Sequence, residues 1–100
     1  MVKHVILWKL RDDLPENELA EVKKGIKEGL ESLAGKIPGL LEIKVYYDAL
    51  ESSNADVMLD SSFEDEASLK AYATHPEHVL VADTKVRPFT MSRTCLDFIK

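Results

Sequence analysis

The first strand that the sequence predicts, VKHVILWKL at residues 2–10, is largely apolar on both of its faces. Because side chains alternate along a strand, His4 and Trp8 share one face, and Val5 and Leu7 share the other. A strand of this kind is found where both sides of its sheet are covered. The chain therefore needs one layer of helices on one face of this strand and a second covering layer on the opposite face.

The remaining segments follow in an order that defines a known architecture. The pattern predicts an amphipathic helix at 16–36 and then a β-hairpin with strands at 40–50 and 55–63. A second helical region begins at 64, breaks at Pro76 and continues to about Val86, and a last strand follows at 91–99. Right-handed crossovers fold this β-α-β-β-α-β order into a ferredoxin-like α+β domain, in which both helices lie on one face of a four-stranded antiparallel sheet. We expect a single domain spanning residues 1–100.

Two helices cover only one face of such a sheet, which leaves the face that carries Val5 and Leu7 open. A second copy of the chain, packed sheet to sheet, is the simplest cover. We therefore expect a homodimer formed through the sheet face, which is a dimeric α/β barrel. This arrangement encloses apolar space between sheet and helices, where a small-molecule ligand could bind.

Charge and composition exclude several classes of partner. The 13 basic residues are scattered along the chain and are outnumbered by 18 acidic ones, giving a net charge of -5, so nucleic acid is not an expected partner. No apolar run reaches membrane-spanning length, and the first residues do not resemble a signal peptide, so we expect a cytoplasmic protein with no membrane partner. The only cysteine, Cys95, has no partner for an internal disulfide and is expected to be a small buried side chain.

The stretch YATHPEHVLVAD at residues 72–83 combines a helix break with an unusual set of rings. Thr74 and Glu77 form the T-x-x-E pattern of a capping box, so one helix could stop near Thr74 and another begin there. Pro76 would then lie in the first helical turn, where its missing N–H costs nothing. Three residues of the stretch have no part in this explanation: Tyr72, His75 and His78.

Tyr72 and His78 are the candidates for chemistry at this corner. The N-terminal end of the new helix disfavours the imidazolium form of His78 and would keep its ring neutral, as a base. Tyr72 could present a phenolic donor from the other side of the break. A neutral imidazole and a phenol at an apolar cavity are sufficient to take a proton next to a carbonyl and to stabilise the enolate. The alternative, in which these rings are incidental to a helix corner, stays open.

Metal and cofactor chemistry have little support in the sequence. His75 and His78, with Glu77 or Asp83, have the spacing of metal ligands, but Pro76 breaks the helix that would hold both rings on one face. The chain has no phosphate-binding glycine loop and no CxxC pair. We therefore expect no metal site and no cofactor.

Three segments together resemble the stress-responsive dimeric α/β-barrel (Dabb) domain family: VKHVILWKL with His4, HPEHVLVAD, and the closing RPFTMSRTCLDF. The resemblance extends over essentially the whole chain and implies the ferredoxin-like fold paired into a dimeric barrel. A plant polyketide cyclase similar to these proteins works without a cofactor and uses a tyrosine and a histidine at this corner. Tyr72 and His78 match those positions, so the resemblance implies that His78 is the base and that Tyr72 positions or polarises the substrate.

Three functions remain open at this point. The first is a Dabb-family dimer of unassigned reaction that binds a small apolar or carbonyl ligand, with His4, His75 and Trp8 lining the site. The second is a cofactor-independent cyclase, isomerase or similar enzyme that uses His78 as base and Tyr72 as hydroxyl donor. The third is a stress-linked structural oligomer.

Overall fold

The computed structural model describes residues 1–100, and its elements follow the predicted order. The strands are β1 (Val2–Leu10), β2 (Leu40–Tyr46), β3 (Val57–Phe63) and β4 (Thr90–Ile99). The helices are α1 (Glu16–Glu31), α2 (Glu66–Thr74) and α3 (Pro76–Val81), after which a π-helical turn (Ala82–Val86) and a 3-10 turn (Arg87–Phe89) lead into β4.

The four strands form one antiparallel sheet in the order β2-β3-β1-β4. The predicted ferredoxin-like fold is therefore confirmed, with β1 between β3 and β4. The register places His4 opposite Ser61 of β3 and opposite Asp97 of β4. Because paired residues of adjacent strands share a face, this register decides which side chains of β4 lie beside His4.

The two faces of β1 differ in the cover that a single chain provides. The even-numbered residues of β1 face the helices and are buried, as Ile6 and Trp8 illustrate at 4% and 5% exposure. Leu7, on the opposite face, remains 39% exposed. Five other apolar or aromatic side chains share that open face, as register and alternation show: Val5, Tyr46, Met58, Leu96 and Phe98. The apolar pattern of the first strand thus corresponds to one covered face and one open face.

Helix α1 packs its apolar side on the sheet but ends earlier than the predicted residue 36. Its buried residues are Val22, Ile26 and Leu30. After Glu31 the chain continues in tight turns with N–H groups bonded three residues back, and these turns bury Leu33 and Ile37 in the same core. The apolar spacing therefore predicted the burial of these two side chains correctly and the length of the helix wrongly.

Strands β2 and β3 are also shorter than predicted, and the chain from 47 to 56 forms a connection. Asp56 fixes this connection to the end of β1. Its carboxylate accepts a hydrogen bond from the Leu10 N–H at 2.8 Å, and its own N–H donates to the Trp8 carbonyl at 2.9 Å. These bonds use the backbone groups that a longer β3 would need, so the strand begins only at Val57.

The corner between α2 and α3 is built differently from the predicted capping box. Thr74 is the last residue of α2, and its hydroxyl lies 3.5 Å from the Ala71 carbonyl, so it does not cap α3. His75 has an extended backbone, and its Nδ1 accepts a hydrogen bond from the Glu77 N–H at 3.1 Å. The cap of α3 is therefore His75, because its ring nitrogen reaches the unpaired N–H that the sequence pattern assigned to Thr74.

None of the helices is both long and apolar enough to cross a membrane.

Candidate active site

A cavity of about 840 Å³ lies between the helix-facing side of β1 and β4 and the α2–α3 corner. Twelve of its twenty lining residues are hydrophobic, which is typical of sites that hold small organic ligands. The polar and aromatic side chains of its lining include His4, Trp8, Tyr72, His78, Arg93 and Asp97. The structure therefore brings together four of the five residues singled out from the sequence: His4, Trp8, Tyr72 and His78. The fifth, His75, is outside the cavity and caps α3.

Tyr72 is held by the aromatic core but leaves its hydroxyl unbonded. The residue is 2% exposed, and its ring packs edge-on against Phe63 and His4, with centroids 5.0 and 6.0 Å apart. The hydroxyl oxygen is buried and has no hydrogen-bond partner in the protein. Burial also raises the pKa of Tyr72 above its ordinary value, so the phenol stays protonated and available as a donor.

His78 stacks on Tyr72 with a defined tautomer. The two ring centroids are 4.1 Å apart and the planes are tilted by 34°. Nδ1 lies 3.3 Å from the Ala73 carbonyl, which can only accept, so Nδ1 carries the proton and Nε2 keeps its lone pair. Burial is the main cause that lowers the pKa of His78 from 6.5, and the nearby Arg87 adds to it. His78 is thus a neutral imidazole with a free basic nitrogen.

His4 and Asp97 form a second pair on the floor of the cavity. His4 is 6% exposed, and its Nδ1 donates a hydrogen bond to the Asp97 carboxylate, as the β1–β4 register allows. Partial burial acts to raise the pKa of Asp97, but the hydrogen bond and the charge of His4 outweigh it, so the net pKa is lowered. Asp97 is therefore a carboxylate that orients the His4 ring.

Cys95 is exposed, which contradicts the expectation that it is buried. The helices pack over β1, β2 and β3, and almost every residue of the edge strand β4 remains exposed. Arg93 and Asp97 lie on the same side of this strand as Cys95, and both line the cavity. The sequence pattern missed all three residues because their proximity to His4 depends on the pairing of the first strand with the last.

The chain has clear relatives in both sequence and structure. The sequence model of the stress responsive A/B barrel domain matches residues 2–100. A dimeric protein of unknown function and ferredoxin-like fold from Bacteroides fragilis is 37% identical with a TM-score of 0.90, and the match covers 97% of this chain and 93% of that one. No functionally curated protein sequence matches the chain.

Two more distant structures share the fold. A dimeric ferredoxin-like protein of unknown function from Thermobifida fusca is 21% identical with a TM-score of 0.76, covering 97% of this chain and 88% of that one. A hydroxynitrile lyase from Passiflora edulis is 16% identical with a TM-score of 0.74, covering 99% and 92%. At these identities the similarity shows the fold alone.

Proposed function

Because the chain belongs to the stress responsive A/B barrel domain family, we propose that it forms a homodimer through its open sheet face and that each protomer binds a small, largely apolar carbonyl compound. The cavity beside Tyr72 and His78 is the proposed binding site. Its volume of about 840 Å³ and its mostly hydrophobic lining fit a compound with an aromatic or alkyl body and few polar atoms.

The observation that carries this proposal is the buried Tyr72 hydroxyl without a partner. A buried donor that makes no hydrogen bond costs about 1–3 kcal/mol of stability. A carbonyl oxygen in the cavity would accept this hydrogen bond, while the apolar lining would contact the rest of the ligand. The polar atom that the folded chain leaves unpaired therefore points to a ligand with an acceptor oxygen.

Calorimetric titration with benzoylacetone, an aromatic 1,3-diketone, tests the proposed binding. We expect Tyr72→Phe to weaken binding by about tenfold, the contribution of one hydrogen bond. The same variant should be as stable as the wild type or more stable, because it removes an unpaired buried hydroxyl. Tyr46→Phe is the matched control, since Tyr46 is 54% exposed on the opposite face of the sheet. Equal affinity of wild type and Tyr72→Phe would contradict the assigned role of the hydroxyl.

A second candidate function, cofactor-free acid–base catalysis, is favoured by the geometry of His78. With the ligand carbonyl bonded to Tyr72, Nε2 of His78 would take a proton from the adjacent carbon, and the electron pair of that C–H bond would form the enolate. The Tyr72 hydroxyl would stabilise the enolate oxygen, and the imidazolium would return its proton to the product. The fold-level similarity to a hydroxynitrile lyase supports an enzymatic use of this architecture.

Exchange of carbon-bound protons of a ketone probe for deuterium tests the catalytic candidate. General acid–base catalysis contributes about 10²–10⁴ in rate, so we expect His78→Gln to slow the catalysed exchange by at least about 100-fold. His75→Asn removes a histidine outside the cavity and should leave the rate unchanged. Exchange that is equally fast in His78→Gln would refute the role of His78 as the base. The proposed ligand binding would be unaffected by that result, because calorimetry tests it separately.

The proposed dimer follows from the apolar open face of the sheet. Leu7, Leu96 and Phe98 are 39%, 63% and 40% exposed on a single chain. Large apolar side chains exposed together on one face of a sheet are typical of an interface. Both the Bacteroides fragilis and the Thermobifida fusca relatives are described as dimeric, which supports the same state here. The cytoplasmic location and the absence of a nucleic-acid partner stay predictions.

A further inference from the structure

Three residues with different donor atoms converge at the edge of the cavity. They are His4 on β1 and Cys95 and Asp97 on β4, and one ligand atom from each lies within 4.8 Å of the other two. The Cys95 sulfur is 3.8 Å from Nδ1 of His4 and 3.4 Å from a carboxylate oxygen of Asp97. The Nδ1–carboxylate contact is the hydrogen bond between His4 and Asp97.

This arrangement differs from a nucleophilic triad. In a triad the nucleophile and the carboxylate contact opposite nitrogens of the histidine, so that a proton passes across the ring. Here Cys95 and Asp97 both approach Nδ1 of His4. The three side chains converge on one point in space, as the ligands of a metal ion do.

We propose that His4, Cys95 and Asp97 bind a divalent transition metal of the Zn²⁺ class, with a fourth coordination position open toward the cavity. Zn–S and Zn–N bonds of about 2.3 and 2.0–2.1 Å at a tetrahedral angle place sulfur and nitrogen about 3.5 Å apart. The observed sulfur contacts of 3.8 and 3.4 Å are close to that spacing. Only the Nδ1–carboxylate contact has to widen, which requires a movement of the half-exposed Asp97 side chain.

The protons balance in this binding step. The metal forms bonds to sulfur, Nδ1 and a carboxylate oxygen, and the thiol proton of Cys95 is released to solvent. The Nδ1 proton of His4 leaves that nitrogen, which breaks the hydrogen bond to Asp97; in a neutral ring Nε2 takes this proton, and an imidazolium ring releases it to solvent. Each metal ion therefore displaces the thiol proton of Cys95 and the Nδ1 proton of His4, and no oxidant or reductant is needed.

The Tyr72 hydroxyl is a separate observation that points to an occupant on this side of the cavity. Its ring lies 6.0 Å from the His4 ring, centroid to centroid, and its hydroxyl is buried without a partner. A water or ligand oxygen held at the open coordination position would give that hydroxyl a partner. The metal site does not depend on acid–base catalysis by His78, because His78 is not one of its three ligands.

Titration of the intact, reduced protein with Co²⁺ tests the site, because cobalt reports both its ligands and its geometry. We expect a thiolate-to-cobalt charge-transfer band together with intense tetrahedral visible bands, both abolished by competing Zn²⁺. Cys95→Ser should remove the charge-transfer band, and Asp97→Asn should lower the Co²⁺ affinity by at least about 10–100-fold. His75→Asn is the control, because it removes a histidine outside the cluster and keeps a side chain that caps α3.

Three results would overturn the proposal. They are the absence of a charge-transfer band at millimolar Co²⁺, a band that persists in Cys95→Ser, and weak octahedral bands whose affinity is unaffected by Asp97→Asn. Circular dichroism of each variant establishes that it is folded, and Cys95→Ser is an exposed, nearly isosteric change. Loss of metal binding with unchanged benzoylacetone affinity would separate this site from the proposed ligand site.

Discussion

Replacing Leu7 by aspartate should break the proposed dimer, and the structure sets the size of the effect. Full burial of a leucine is worth about 1.5–3 kcal/mol, and 39% of Leu7 remains to be buried, so each protomer gains about 0.6–1.2 kcal/mol. Because the interface is two-fold, the dimer gains this burial free energy twice, once from each protomer. An aspartate in the same place adds the cost of an unpaired buried charge, which is several kcal/mol per ion. We expect the dimer to lose at least about 5 kcal/mol, which raises its Kd about 10³- to 10⁴-fold.

Sedimentation velocity over a concentration series measures this loss directly. The matched control is Leu80→Asp, because Leu80 is 61% exposed on α3, away from the open sheet face. We expect Leu7→Asp to sediment as a monomer at concentrations where the wild type and Leu80→Asp are dimers. A Leu7→Asp dimer with the affinity of the control would show that the open face does not form the interface. Wild-type assemblies larger than a dimer would instead favour the structural-oligomer hypothesis.

Three further predictions concern the stability of the fold. Because the pKa of His78 is lowered in the folded state, the unfolded chain binds a proton at a pH where the folded chain does not. The contribution of His78 to the free energy of unfolding is therefore complete above pH 6.5 and is lost as the pH falls through the folded-state pKa. Urea unfolding between about pH 5 and pH 8 should show this loss of stability in the wild type and not in His78→Gln. Gly39→Ala should destabilise the protein by more than about 1–2 kcal/mol, because Gly39 has φ +81° and a Cβ there would lie 2.2 Å from the Ser68 hydroxyl oxygen. Gly25→Ala should instead stabilise α1 by about 0.5–1 kcal/mol, because a Cβ there would meet nothing nearer than 3.9 Å. Equal unfolding midpoints of the two variants would contradict both expectations. His75→Ala should cost about 0.5–2 kcal/mol in the same assay, and His75→Asn should recover most of it if the cap is real.

Hydrophobic periodicity was sufficient to predict the fold because it reports burial. The alternation in β1 and the three-and-four spacing of α1 identify the buried faces, and the order of elements then leaves one antiparallel sheet. Element ends were less predictable, because they depend on individual hydrogen bonds. Asp56 bonding to the end of β1, and His75 rather than Thr74 capping α3, are contacts that no periodicity contains.

The candidate site was predictable only where its residues are close together in sequence. Tyr72 and His78 lie on either side of one helix break, so a short unusual stretch drew attention to both. Asp97 and Cys95 are more than 90 positions from His4, and only the β1–β4 register brings them beside its ring. A sequence pattern read locally therefore misses the second half of the site, including every ligand of the proposed metal centre except His4.

Nitrogen-resolved NMR of the histidine rings, recorded across pH with and without benzoylacetone, tests whether His78 is a neutral base beside a ligand site. We expect His78 to titrate below 6.5, its neutral form to carry the proton on Nδ1, and its ring signals to shift when the diketone binds beside Tyr72. A His78 ring that titrates at 6.5 and whose signals do not change on adding the diketone would contradict both the neutral base and the ligand site.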